Sequence, residues 1–152
     1  MLKPIEKRLI LIHVALFVLC AVCRIFCQMH MTEWYYRYQY GNLFMIDLVF
    51  AKPLFYYSLG FLVAYFLARK TFREDLQLPY KALGVMGVVL FLLYLFAASM
   101  LICVAVFHIS PVPWGYSVNL TAILDYCGLL CIPGILFGLV VERCCKEYSQ
   151  GK

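Results

Sequence analysis

Five ionisable residues carry most of the chemistry that this sequence could do: Arg24, Asp47, Lys52, His108 and Asp125. Each stands near one end of a long apolar run. A charge near the centre of a bilayer costs at least ~2.5–3.5 kcal/mol, less toward the edge, so such residues persist where they are paired, snorkel to the surface, or function. Three readings follow. Arg24 paired with Asp125 or Asp47 would be an ion-pair cluster that holds one end of a helical bundle together. The same five residues would form an outward-facing binding site for a small polar or charged ligand. Asp47 and Asp125 would act as a carboxylate dyad, one acid and one base, because two close carboxylates push their proton affinities apart. Arg24 nearby favours ionising both and works against that split.

Cysteine is the second chemistry-bearing type, with eight in the chain. Cys20, Cys23 and Cys27 fall on one helical stripe, and Cys127 and Cys131 are a turn apart. Cys20, Cys23, Cys127 and Cys131 are the set that would serve a thiolate metal or redox site. In lipid, unpaired thiols otherwise behave as small hydrophobes. Cys144 and Cys145, beside Arg143 and Lys146, suit a lipid-modified juxtamembrane pair. A bis-histidine haem site needs two facing imidazoles. Of His13, His30 and His108, only the last two fall on one side, both at or beyond the edge of an apolar run. No phosphate-binding glycine loop, dinucleotide turn, H-E-x-x-H or G-x-S-x-G motif occurs. The reading is non-enzymatic, without a cofactor.

The elements that position these residues follow from composition. The 152 residues are 65% hydrophobic and 14% charged, against ~45–50% and ~25% in soluble domains. A globule of this size could not bury that much apolar surface. Disorder, a secreted disulfide scaffold and nucleic-acid binding are excluded. The expected fold is an all-α integral membrane protein, one domain built as a four-helix transmembrane bundle. A spanning helix needs about 20 residues at 1.5 Å each. The expected spans are 9–27, 53–69, 82–108 and 120–141. Pro53 suits a first helical turn and breaks an interior. Residues 42–51 are therefore expected as a short interfacial or re-entrant lead-in, with one kinked helix as the alternative. Pro133 inside span four is tolerable where neighbouring helices satisfy the freed backbone.

Lys and Arg set the orientation. Ten of the thirteen lie in the N-terminal segment, the loop between spans two and three, and the C-terminal tail. Four spans put these on one side, so both termini are expected in the cytoplasm. The first span has no small-x-small cleavage site after it and is expected to be retained. Trp34, Tyr35, Tyr36, Tyr38, Tyr40 and Phe44, then Trp114 and Tyr116, crowd the outer loops. They fit an interfacial belt or an aromatic lid over a ligand mouth. The Asn119–Thr121 sequon lies close against span four. Small residues recur at Gly60, Ala64 and Ala68, and at Gly134 and Gly138. That spacing lets helices approach closely, within the bundle or between copies in a homo-oligomer. The expected partners are the lipid bilayer, a larger membrane complex or second copy, and a small polar ligand. The expected location is the cell membrane.

Overall fold

The computed structural model describes residues 4–38, 43, 46–71, 79–107 and 130–150, all helical apart from Pro79. Helix α1 is Pro4–Tyr38, a π-helical turn is Asp47–Ala51, α2 is Lys52–Thr71, α3 is Tyr80–Phe107 and α4 is Cys131–Gln150. Three stretches are long and apolar enough to cross a membrane: Pro4–Glu33, Asp47–Lys70 and Tyr80–Met100.

The helix bounds differ from the expected spans at several points. Helix α1 begins before residue 9 and runs past 27, because a helix can continue beyond the length a bilayer requires. The described part of the expected lead-in is not a separate element: Asp47–Ala51 joins α2 without a break, as the one-helix alternative expects. The fourth expected span, 120–141, falls outside the described residues up to 129. Its helix starts at Cys131 and continues through Glu142, Arg143, Lys146 and Glu147, beyond the apolar run. Pro133 sits in the first turn of α4, where backbone N–H groups have no intrahelical acceptor to lose. Pro79 precedes α3, and its carbonyl accepts the first helical hydrogen bond from Leu83 N–H at 3.0 Å.

The π turn has a local cause. Pro53 has no N–H to offer the carbonyl four residues back, that of Val49, and its ring crowds that carbonyl. The chain widens instead, with Lys52 N–H donating to Asp47 O five residues earlier. The Val49 carbonyl then accepts a hydrogen bond from the Tyr94 hydroxyl on α3. Val49 is 1% exposed and packs with Ala98, Tyr94, Ala97 and Ile102. An unsatisfied carbonyl at this buried position would cost about 1–3 kcal/mol. Other helix polar groups are satisfied locally: Ser58 and Ser99 donate to the carbonyls of Phe55 and Phe96.

Helix α2 is the hub. Half of its most apolar stretch is buried, against 6% for α1 and 11% for α3. Helix α1 runs antiparallel along it, with Glu6 against Arg69, His13 stacked on Phe61, Phe17 on Phe55 and Arg24 against Asp47. Helix α4 runs parallel to α2 and crosses it closely. A Cβ added at Gly60 would lie 2.5 Å from the Cys131 carbonyl oxygen, and one at Gly138 would lie 2.6 Å from that of Phe61. At Gly134 it would collide with the Tyr57 carbonyl. The two small-residue faces therefore meet each other within one chain. Helix α3 lies antiparallel on α4, Gly84 beside Val140 and Gly87 beside Phe137. The amino ends of α1 and α3 and the carboxyl ends of α2 and α4 thus share one end of the bundle. Leu11, Val18 and Ile25 on α1, and Val85, Leu92 and Phe96 on α3, remain outside and exposed.

Gly134→Ala is expected to destabilise the protein by about 1–3 kcal/mol, because backbone blocks the new methyl. Gly84→Ala, whose nearest obstacle is a Val140 methyl 3.8 Å away, should be neutral or stabilising by up to about 1 kcal/mol. Denaturation of each variant in mixed micelles reads this, and equal effects would contradict the close crossing.

Candidate functional site

Of the five residues that carry the expected site, the structure brings Arg24 and Asp47 together. Arg24 Nε donates to Asp47 Oδ1 at 3.3 Å. Arg24 projects from α1 one helical turn before Cys27, and Asp47 opens the π turn leading to α2. The side chains are 19% and 17% exposed, so the pair is mostly covered by its neighbours. The guanidinium also lies 5.3 Å from the Phe55 ring centroid and 5.6 Å from that of Tyr56. Aromatic faces attract a planar cation, so two rings and one carboxylate fix its orientation. Phe55 and Tyr56 are themselves edge-to-face, with centroids 5.5 Å apart.

Lys52 follows directly, at the junction of π turn and α2, and is half-buried. His108 and Asp125 lie outside the described residues, so the meeting of five side chains and the Asp47/Asp125 pair both fall there in part. Asp47 is engaged by Arg24, the arrangement of the ion-pair reading. The two side chains put one positive and one negative group side by side.

The cysteines of α1 are mostly enclosed: Cys20 and Cys27 are 5% and 1% exposed, and Cys23 is half-buried. The Cys27 thiol hydrogen-bonds with that of Cys23 and lies near Asp47. Cys131 packs on Gly60 at the α2–α4 crossing. Cys127 lies outside the described residues. Among the described residues, no three His, Cys, Asp or Glu side chains are placed to hold a metal ion. His13 has its Nδ1 2.8 Å from the Leu9 carbonyl, and its ring lies flat on Phe61 with centroids 3.6 Å apart. His30 lies beside Phe26 and Glu33.

A second polar cluster lies at the other end of the α1–α2 pair and was not anticipated. Tyr65, fully buried, donates its hydroxyl hydrogen bond to Glu6. Arg69 Nη1 donates to both Glu6 Oε1 and Tyr65 Oη at 3.0 Å. Tyr65 and Arg69, a turn apart on α2, hold one carboxylate from α1. Glu6 and Arg24 are about 27 Å apart along α1 at 1.5 Å per residue. The two clusters thus bracket roughly the thickness of a hydrocarbon core. Among the described residues every buried side-chain nitrogen or oxygen has a hydrogen-bond partner. Glu142, 7% exposed, is paired with Lys146 at 2.7 Å.

No protein-family model, no curated protein and no solved structure matches this chain.

Arg24→Gln and Asp47→Asn are each expected to lower stability. In a double-mutant cycle they should show coupling on the order of 1 kcal/mol, typical of interhelical polar contacts in membranes. Additive losses would mean that the two side chains do not share a contact.

Proposed function

We propose that this chain is a non-enzymatic, four-span protein of the cell membrane. It acts as an accessory subunit or transport-type protein, with a polar cluster that binds a small polar ligand or partner from outside. The observation that carries this reading is the Arg24–Asp47 pair, preassembled between two helices and not fully enclosed by them. Basic residues gather at the opposite end of the bundle, and the positive-inside rule assigns such an end to the cytoplasm. That supports cytoplasmic termini and an outward-facing Arg24–Asp47 site. Lys52 is its neighbour, and His108 and Asp125 are assigned to the same side by the sequence.

Binding is favoured over catalysis because Arg24 already occupies the carboxylate that a dyad would need as an acid or base. Binding is favoured over thiol chemistry because Cys20 and Cys27 are enclosed, and reactive thiols sit in exposed, electropositive surroundings. The aromatic rings beside Arg24 give the site one apolar wall and one charged wall, a common composition for small-ligand sites.

Native mass spectrometry of the full chain released from nanodiscs tests this reading. The wild type should retain a small molecule or protein partner that Arg24→Ala loses. Arg24→Lys keeps the charge and distinguishes lost recognition from lost folding. A bare chain, whose only response to Arg24→Ala is a lower unfolding temperature, would reduce the pair to a helix clamp and overturn the proposal.

A further inference from the structure

The net charge of +5 comes from three segments of the sequence. Segments 1–8, 69–81 and 142–152 hold ten basic residues against five acidic ones. The remainder holds Arg24, Arg37 and Lys52 against Glu33, Asp47 and Asp125, and is neutral. The helix pairing gathers the described parts of the three segments at the end where Glu6 meets Arg69.

The described acids of that end are already matched. Glu6 pairs with Arg69 at 3.0 Å, Glu142 with Lys146 at 2.7 Å and Glu147 with Arg143 at 3.2 Å. Four cations are left over: Lys7 and Arg8 on α1, Lys70 on α2 and Lys81 on α3. All four are exposed, and none has an acidic partner among the described residues. Exposed apolar side chains follow within a turn or two on the same helices: Leu11 and Ile12 after Arg8, Leu67 before Lys70, and Val85 and Met86 after Lys81. Each of these helices therefore passes from an exposed apolar stretch to a cation without an acidic partner among the described residues, at the same level of the bundle.

We propose that this end is a binding surface for anionic phospholipid headgroups. Lys7, Arg8, Lys70 and Lys81 contact lipid phosphates, while Arg69, Arg143 and Lys146 stay with their carboxylates. Charge complementarity identifies the occupant as an anion. The apolar flank beneath each cation favours an anion that carries acyl chains over a soluble one. A cation near a membrane surface is worth about fivefold in attraction to an anionic leaflet, and four of them on three helices act together. The surface is independent of the Arg24–Asp47 site, so it survives Arg24→Ala.

The test uses the full chain in nanodiscs of phosphatidylcholine and phosphatidylglycerol in equal parts. Native mass spectrometry counts the lipids that stay bound as the disc is stripped. The wild type is expected to retain phosphatidylglycerol over phosphatidylcholine by about fivefold or more, less so at high salt because exposed charges are screened. The combined Lys7→Gln, Arg8→Gln, Lys70→Gln, Lys81→Gln variant should bring the ratio to that of the mixture. Lys7→Arg, Lys70→Arg, Lys81→Arg should keep the preference. If the combined variant does not fold, the halves Lys7→Gln/Arg8→Gln and Lys70→Gln/Lys81→Gln should each lower the ratio. A wild type with no phosphatidylglycerol excess would overturn the proposal. So would an excess that these variants leave unchanged, or one that millimolar inorganic phosphate abolishes, which would make this a site for a soluble anion.

Discussion

A buried backbone carbonyl must find a donor, and at Val49 the N–H four residues on is missing because Pro53 has none to give. Much of the arrangement around α2 answers that one constraint. The chain widens into the π turn Asp47–Ala51, and Tyr94 reaches from α3 to supply the donor. The same turn carries Asp47 to Arg24 on α1. A proline that would break an isolated helix thus ties three helices together at one end of the bundle. The irregularity also places the candidate site, since the π turn carries its acidic member.

Away from that point, packing of α2 is set by size and by polar ends. Glycine at 60, 134 and 138 lets α4 lie backbone to backbone on α2, a contact that any Cβ would push apart. Helix α1 is held differently. Its apolar outer face is exposed, and its register on α2 is set by an ion pair at one end and the Glu6–Tyr65–Arg69 group at the other. A one-turn slip of α1 would break both. The division fits a helix bundle in lipid, where apolar surface supplies little preference between neighbours and polar contacts with small residues supply the specificity.

The sequence showed the three apolar stretches, the small-residue faces, the disturbance at Pro53 and Asp47 as one partner for Arg24. Apolar length, composition and spacing are enough for those. It left open whether residues 47–51 form a separate lead-in or one kinked helix with α2, because hydropathy carries no information on where a freed carbonyl finds its donor. Tyr94 looked like one apolar position among many in a long run. The Glu6–Tyr65–Arg69 cluster was hidden for a related reason. Glu6 is 59 or more residues away from its two partners on α2, and only the register between the helices brings them together. The one hint was local, with Tyr65 and Arg69 a turn apart on a single face. Outer site residues His108 and Asp125, and Cys127 among the thiols, lie outside the described residues, so the structure speaks to Arg24, Asp47 and Lys52 alone of the expected five.

Tyr94 replaces the donor that Pro53 removes, and a double-mutant cycle measures that directly. Tyr94→Phe is made in the wild type and in Pro53→Ala, where the substituted backbone again has an N–H to offer Val49, and unfolding free energy is measured in mixed micelles. The expected result is a loss of about 1–3 kcal/mol for Tyr94→Phe in the wild type, the penalty of an unsatisfied buried acceptor, and little loss in the Pro53→Ala background. Equal losses in both backgrounds would show that Tyr94 contributes by packing alone, and would contradict the claim that the proline, the π turn and the hydroxyl form one unit.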